Sequence, residues 1–120
     1  MCHRILDVGC GSGLIALMAA QRNTEAKIDA VEIDDLAAAE AAENFEKSAW
    51  KERLSVFDVD FLTYTSDSKY DLIVSNPPVL KTDIVAPDKR RAMARHTDSL
   101  PFERLFEKVK SLLLPGGVFA

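Results

Sequence analysis

An apolar run, Arg4 to Val8, stops at three glycines spaced two apart, Gly9, Gly11 and Gly13, and a segment carrying Leu14, Ile15, Leu17 and Met18 follows at once. A chain passes from strand to helix in so few residues when glycine opens conformations that a Cβ forbids. The pattern predicts a strand, a tight turn and a helix running from Ser12 to Arg22. It also predicts a ligand, because glycines there let the backbone approach one closely.

The alternation continues along the chain. Lys27–Ile33 reads as a second strand, Asp35–Lys47 as an Ala- and Glu-rich helix capped by Asp34 or Asp35, and Leu54–Val59 as a third strand. Tyr70–Ser75 holds Leu72, Ile73 and Val74 in succession, the mark of a central strand buried on both faces, and it ends at Asn76-Pro77-Pro78. Val79 to Asp98 lacks clear periodicity and is read as a loop with a short helix near Arg90. Pro101 suits a first helical position, and Phe102, Leu105, Phe106, Val109, Leu112 and Leu113 fall on one face after it. Pro115-Gly116-Gly117 is expected to end that helix, with Val118-Phe119-Ala120 beginning a strand. The class is therefore α/β, a Rossmann-like, doubly wound, mostly parallel sheet. Residues 1–120 are expected to form a partial domain, truncated after the start of the fifth strand.

Composition narrows the function. The longest apolar run, Leu14 to Ala20, is far short of the roughly 20 residues of a membrane span. No secretory leader pattern follows Met1, so the chain is read as cytoplasmic with no membrane partner. Cys2 and Cys10 are too few for a disulfide framework and are read as reduced. Cys2 and His3 are adjacent on a strand and point to opposite faces, so no metal site is expected with Cys10. The formal charge of −4 argues against indiscriminate coating of nucleic acid. The charge is uneven, however: Lys81 to His96 holds five basic residues against two acidic, a net +3, so the rest of the chain carries −7.

Glu32 ends the second strand about twenty residues beyond the glycine loop, where a carboxylate can accept both hydroxyls of a ribose. Loop and carboxylate together indicate an adenosine-containing cofactor. A dinucleotide fingerprint would place its third glycine at position 14, which is Leu here. Asp7 beside the loop would repel a pyrophosphate and attract an ammonium group. These residues disfavour a nicotinamide-dependent dehydrogenase and favour S-adenosylmethionine, which has an amino-acid tail and no phosphate.

Asn76-Pro77-Pro78 follows a buried strand, where a parallel sheet places its ligand crevice. Two prolines fix φ and donate no hydrogen bond, leaving the Pro77 carbonyl and the Asn76 amide oxygen as rigid acceptors. Two acceptors aimed at one planar NH₂ group would pull its nitrogen toward a tetrahedral, nucleophilic geometry. Such a transfer calls for position and electrostatics rather than a metal or a strong base.

Asp7-Val8-Gly9-Cys10-Gly11-Ser12-Gly13 and Val31-Glu32-Ile33-Asp34 resemble the first two motifs of the class I S-adenosylmethionine-dependent methyltransferases. The resemblance implies that Gly9 to Gly13 (with Cys10) lie beneath the methionine part, that Glu32 holds the ribose and that Ile33 packs on the adenine. It implies an adenine contact from Asp60 in Val59-Asp60-Phe61, with Asp58 as a rival. Asn76-Pro77-Pro78-Val79 resembles the Asn-Pro-Pro-aromatic motif of family members acting on adenine, guanine or glutamine amides, with Val79 in the aromatic's place. That ring stacks on the flipped base, an interaction worth ~1 to 3 kcal/mol. A cofactor-binding module without catalysis is the alternative that Val79 raises.

Ala86 to Leu100, with Arg90, Arg91, Arg95 and His96, is similar to a segment of the bacterial transfer-RNA methyltransferases that modify the adenine just 3′ of the anticodon in valine tRNA. Ala49-Trp50-Lys51-Glu52-Arg53 shares that likeness. The resemblance implies methyl transfer to the exocyclic N6 of an adenine in tRNA, with the valine anticodon loop as partner and Arg90, Arg91, Arg95 and His96 as substrate contacts. Ribosomal RNA and protein glutamine are the other acceptors this chemistry allows.

Overall fold

The run Arg-Ile-Leu-Asp-Val forms β1 (Arg4–Val8), the middle strand of a five-stranded parallel sheet in the computed structural model, which describes residues 3–75 and 100–120. The others are β2 (Lys27–Glu32), β3 (Leu54–Asp58), β4 (Tyr70–Ser75) and β5 (Leu113–Phe119), in the order β3-β2-β1-β4-β5. Helices α1 (Leu14–Arg22) and α2 (Asp35–Lys47) follow β1 and β2, and α3 (Leu100–Leu112) leads into β5.

Alternation along each strand sends side chains to two cores. On one face Ile5, Ile28, Ala30 and Leu54 pack with Ala16 and Ala20 of α1 and Ala41 and Phe45 of α2. The run of alanines lets these helices approach the sheet closely. On the other face Leu6, Val8, Val31 and Ile73 pack with Val109 and Leu112 of α3, together with Phe61 and Tyr70.

The chain winds from β1 outward to β2 and β3, then returns to lay β4 on the other side of β1. That reversal opens a crevice beyond the carboxyl ends of β1 and β4. Val8 and Ser75 stand level at its edge.

Several boundaries depart from expectation for physical reasons. Helix α1 starts at Leu14 rather than Ser12 because Gly13 takes φ 90°, outside the helical region. Leu72 and Val74 of β4 are half-buried rather than fully enclosed. Pro115-Gly116-Gly117 lies within β5 instead of preceding it: Tyr70 is level with Leu113 and Leu72 with Val118, so the intervening turn is looped out as a bulge. The region expected to form a loop with a short helix, Val79 to Asp98, lies outside the described residues, as does Cys2.

Arg53, at the end of a 3-10 turn (Lys51–Arg53), closes the carboxyl end of α1. Its guanidinium donates to the carbonyls of Ala20 at 2.9 Å, in the last turn of the helix, and of Asn23 at 2.9 Å and Ala26 at 2.7 Å in the turn that follows. Arg53→Met keeps the aliphatic stem and removes all three bonds. It should lower unfolding stability by about 2 to 3 kcal/mol in urea titrations.

Candidate functional site

At the end of β1 the chain enters the glycine loop, and Gly9, Gly11 and Gly13 all take positive φ, at 71°, 56° and 90°. The amides of Gly9 and Cys10 donate to the Val31 carbonyl at 2.9 and 3.2 Å, which ties the loop to β2. Glu32, only 1% exposed, accepts from the Gly11 amide at 2.7 Å through Oε1 and from the Asp34 amide at 3.0 Å through Oε2. One carboxylate therefore sets both the glycine loop and the entry to α2. A Cβ on Gly11 would meet nothing within 4 Å, whereas one on Gly13 would stand 2.5 Å from Phe45 Cε1. Gly11 opens toward free space, and Gly13 admits the ring of α2.

Beside the loop lies a recess of about 130 Å³ lined by Val8, Gly9, Val31, Ile33, Val59, Asp60 and Phe61. It is mostly apolar, with a carboxylate at its margin. Ile33 is 65% exposed there, so the recess presents an apolar side chain to a ligand. Asp60 lines the recess and Asp58 does not. Asp60 also starts the 3-10 turn Phe61–Thr63, accepting from the Leu62 amide at 3.0 Å.

Two residues of the glycine motif face the core instead. Cys10 is buried against the α1 and α2 side, its thiol 3.6 Å from the Gly11 carbonyl oxygen. Asp7 is fully buried, and neither of its oxygens has a hydrogen-bond partner of good geometry. Burial pushes its pKa up from 3.8 to about 6; the Ala16 amide at the start of α1 draws it down and the nearby Glu32 charge raises it further.

The structure thus gathers Gly9, Ile33, Asp60 and Phe61 around the recess and joins Gly11 to Glu32, with Asp7, Cys10 and Gly13 beneath. Asn76, Pro77, Pro78 and Val79 lie outside the described residues, as do Arg90, Arg91, Arg95 and His96. Sequence reasoning missed two supports from α2. Asn44 donates from Nδ2 to the Ser12 carbonyl at 2.8 Å, and Phe45 packs under Gly13. Ala38, Ala41 and Phe45 mark the helix's buried stripe by spacing, and an Asn beside that stripe was the available signal.

Two outcomes follow from this geometry. A proton binds Asp7 more tightly in the folded chain than in the unfolded one, so stability should rise as pH falls from 7 toward 4. Asp7→Asn should remove that pH dependence and stabilise the protein at pH 8 by up to about 3 kcal/mol, read from denaturation at several pH values. Asn44→Ala should free the loop locally: hydrogen exchange at the Gly11 to Gly13 amides should quicken by roughly fivefold, the equivalent of one hydrogen bond.

Comparison with known proteins places these features in context. The family model described as "Methyltransferase small domain" matches residues 1–119. The chain is 52% identical over 118 residues to the tRNA1(Val) (adenine(37)-N6)-methyltransferase of Bacteroides thetaiotaomicron, covering 98% of this chain and 50% of that protein. It is 49% identical over 116 residues to the protein of the same name from Aliivibrio fischeri, covering 97% of this chain and 50% of that one. The chain spans about half the length of the curated relatives it matches. Among solved structures, its fold is similar to the O-methyltransferase of a trans-AT PKS multienzyme from Brevibacillus brevis in complex with S-adenosyl-L-homocysteine. That match has a TM-score of 0.72 at 19% identity and covers 98% of this chain and 34% of that one.

Proposed function

The chain belongs to the methyltransferase small domain family, and from that premise we propose that it carries the cofactor half of an enzyme that methylates the exocyclic N6 of an adenine in tRNA, using S-adenosylmethionine. The observation that carries this reading is the convergence of the Glu32-held glycine loop, the apolar recess and the level ends of β1 and β4 at one crevice. The names of the relatives at 52% and 49% identity support the tRNA acceptor.

The residues present fit the cofactor. The open side of Gly11 leaves backbone surface for a methionine moiety, and the recess walls of Val31, Ile33, Val59 and Phe61 suit the faces of a purine. Glu32, immobilised by two backbone amides, would accept ribose hydroxyls, and Asp60 would accept from the adenine amine. When bound, S-adenosylmethionine supplies an electrophilic methyl group on a sulfonium.

Asn76 and Pro77 come directly after Ser75 in sequence, and Ser75 is the partner of Val8. Their amide oxygen and carbonyl would accept the two protons of the target amine and hold its lone pair toward the crevice. Nitrogen that has become tetrahedral and cationic releases a proton to water readily, so the chain's task is orientation and exclusion of alternatives. Val79 supplies less stacking surface than a ring, so the flipped base relies more on the walls around it. Arg90, Arg91, Arg95 and His96 would meet the backbone of the valine tRNA anticodon loop.

Incubating the full-length protein with methyl-labelled S-adenosylmethionine and unmodified valine tRNA should place label on adenine N6. Glu32→Gln should weaken cofactor binding by roughly 10- to 100-fold in calorimetry, the equivalent of losing a charged acceptor for ribose. A protein that binds the cofactor and labels no tRNA would refute the enzymatic reading and leave a binding module.

A further inference from the structure

The chemistry above leaves a second cleft unassigned. It has a volume of about 340 Å³ and lies between the 3-10 turn and α3, lined by Leu62, Arg104, Glu107, Lys108 and Ser111. Its position follows from the helix period. Leu105, Val109 and Leu112 form the stripe of α3 that packs on the sheet, and Phe106 flanks it toward β5, where its ring meets Phe119 edge-on at 6.0 Å. Arg104, Lys108 and Ser111, spaced by four and three, flank the same stripe on the opposite side. Leu62 follows Phe61 directly, so the cleft and the recess share the 3-10 turn as a common wall.

Some of the described cations are engaged and others are not: Arg22, Lys27, Lys69 and Lys110 make no ion pair among the described residues. Arg4 pairs with Asp29, Lys47 with Glu43 and Lys51 with Glu46, while Arg53 is spent on carbonyls. Arg104 and Lys108 make no ion pair among the described residues, although the chain carries 19 acidic residues to 15 basic ones. Lys108 is half-buried along the cleft, and Leu62, 36% exposed, offers apolar surface between the charges and the recess. In sequence the basic segment from Lys89 to Arg95 runs into α3 only five residues before Leu100. Two cations on one helical stripe, without an ion pair among the described residues and next to an apolar side chain, match a polyanion that also presents sugars.

We propose that this cleft holds the sugar-phosphate backbone of the RNA substrate, with Arg104 and Lys108 each contacting a phosphate near the target adenine. The inference rests on the tRNA reading above. Glu107 in the same lining opposes a phosphate, so the cleft contributes position and modest affinity rather than tight capture.

The test uses the full-length protein and unmodified valine tRNA, with binding followed by fluorescence anisotropy across a KCl series and methylation followed by label. The double variant Arg104→Gln with Lys108→Gln should weaken tRNA binding roughly tenfold and lower the slope of log affinity against log salt by about 1.5. Its KM for tRNA should rise while kcat and cofactor binding stay unchanged. Glu107→Gln should tighten tRNA binding two- to threefold, roughly one removed repulsion. Lys47→Gln, on α2 across the sheet, should change neither. A double variant that binds and methylates tRNA like its parent, with the same salt slope, overturns the inference and leaves the enzymatic reading standing. A parent protein that neither binds nor methylates tRNA overturns both.

Discussion

The Glu32 carboxylate, buried at the end of β2, is the joint on which the site is assembled. Its two oxygens accept from backbone amides that are far apart in role: Gly11 in the loop after β1 and Asp34 at the start of α2. A buried carboxylate is tolerated only where such donors compensate for lost water, and charge-assisted bonds of this kind contribute about 1.5 to 3 kcal/mol each. The loop's geometry is therefore inherited from β2 rather than generated within it. Asn44 and Phe45 add a second attachment from α2, so three consecutive residues of the loop, Gly11, Ser12 and Gly13, are each held by a different partner.

The cost of this arrangement falls on Asp7. It shares the buried face beneath the loop with Glu32, has no hydrogen-bond partner of good geometry, and burial pushes its pKa up to about 6 against the pull of the Ala16 amide. Its backbone position in the central strand is level with Ala30 of β2 and Val74 of β4, and its side chain is fully buried. A residue that weakens the fold at neutral pH in the floor of a candidate cofactor site is the pattern expected where binding rather than stability selects the side chain.

Strand order then converts one site into a meeting place. Because β2 and β4 flank β1 on opposite sides, β1 and β4 end at the same level, at Val8 and Ser75; the glycine loop follows the one, and in sequence Asn76-Pro77-Pro78 follows the other. Methyl transfer to a planar amine asks little of a protein beyond bringing two partners into line and holding acceptors on the amine. A rigid parallel sheet with loops at one end suits that demand. The face that carries α3 extends the same logic outward, since its cleft adjoins the recess through a single 3-10 turn.

Much of this was legible before any coordinates. Strands, helices and the glycine turn follow from residues adjacent in sequence, and Glu32 stood out by its distance from the loop. The Asn-Pro-Pro turn and the basic segment were equally legible as motifs, though both fall outside the described residues. Other features depended on neighbours distant along the chain. Only the fold distinguished Asp60, in the recess, from Asp58, turned Cys10 and Asp7 into the core, and recruited Asn44 and Phe45 to the loop. It also looped out Pro115-Gly116-Gly117 within β5, where local reading saw a helix end. Turn chemistry and hydrophobic period are local properties, whereas a contact across the sheet depends on strand order and register, and a shift of one residue would reverse every side chain's face.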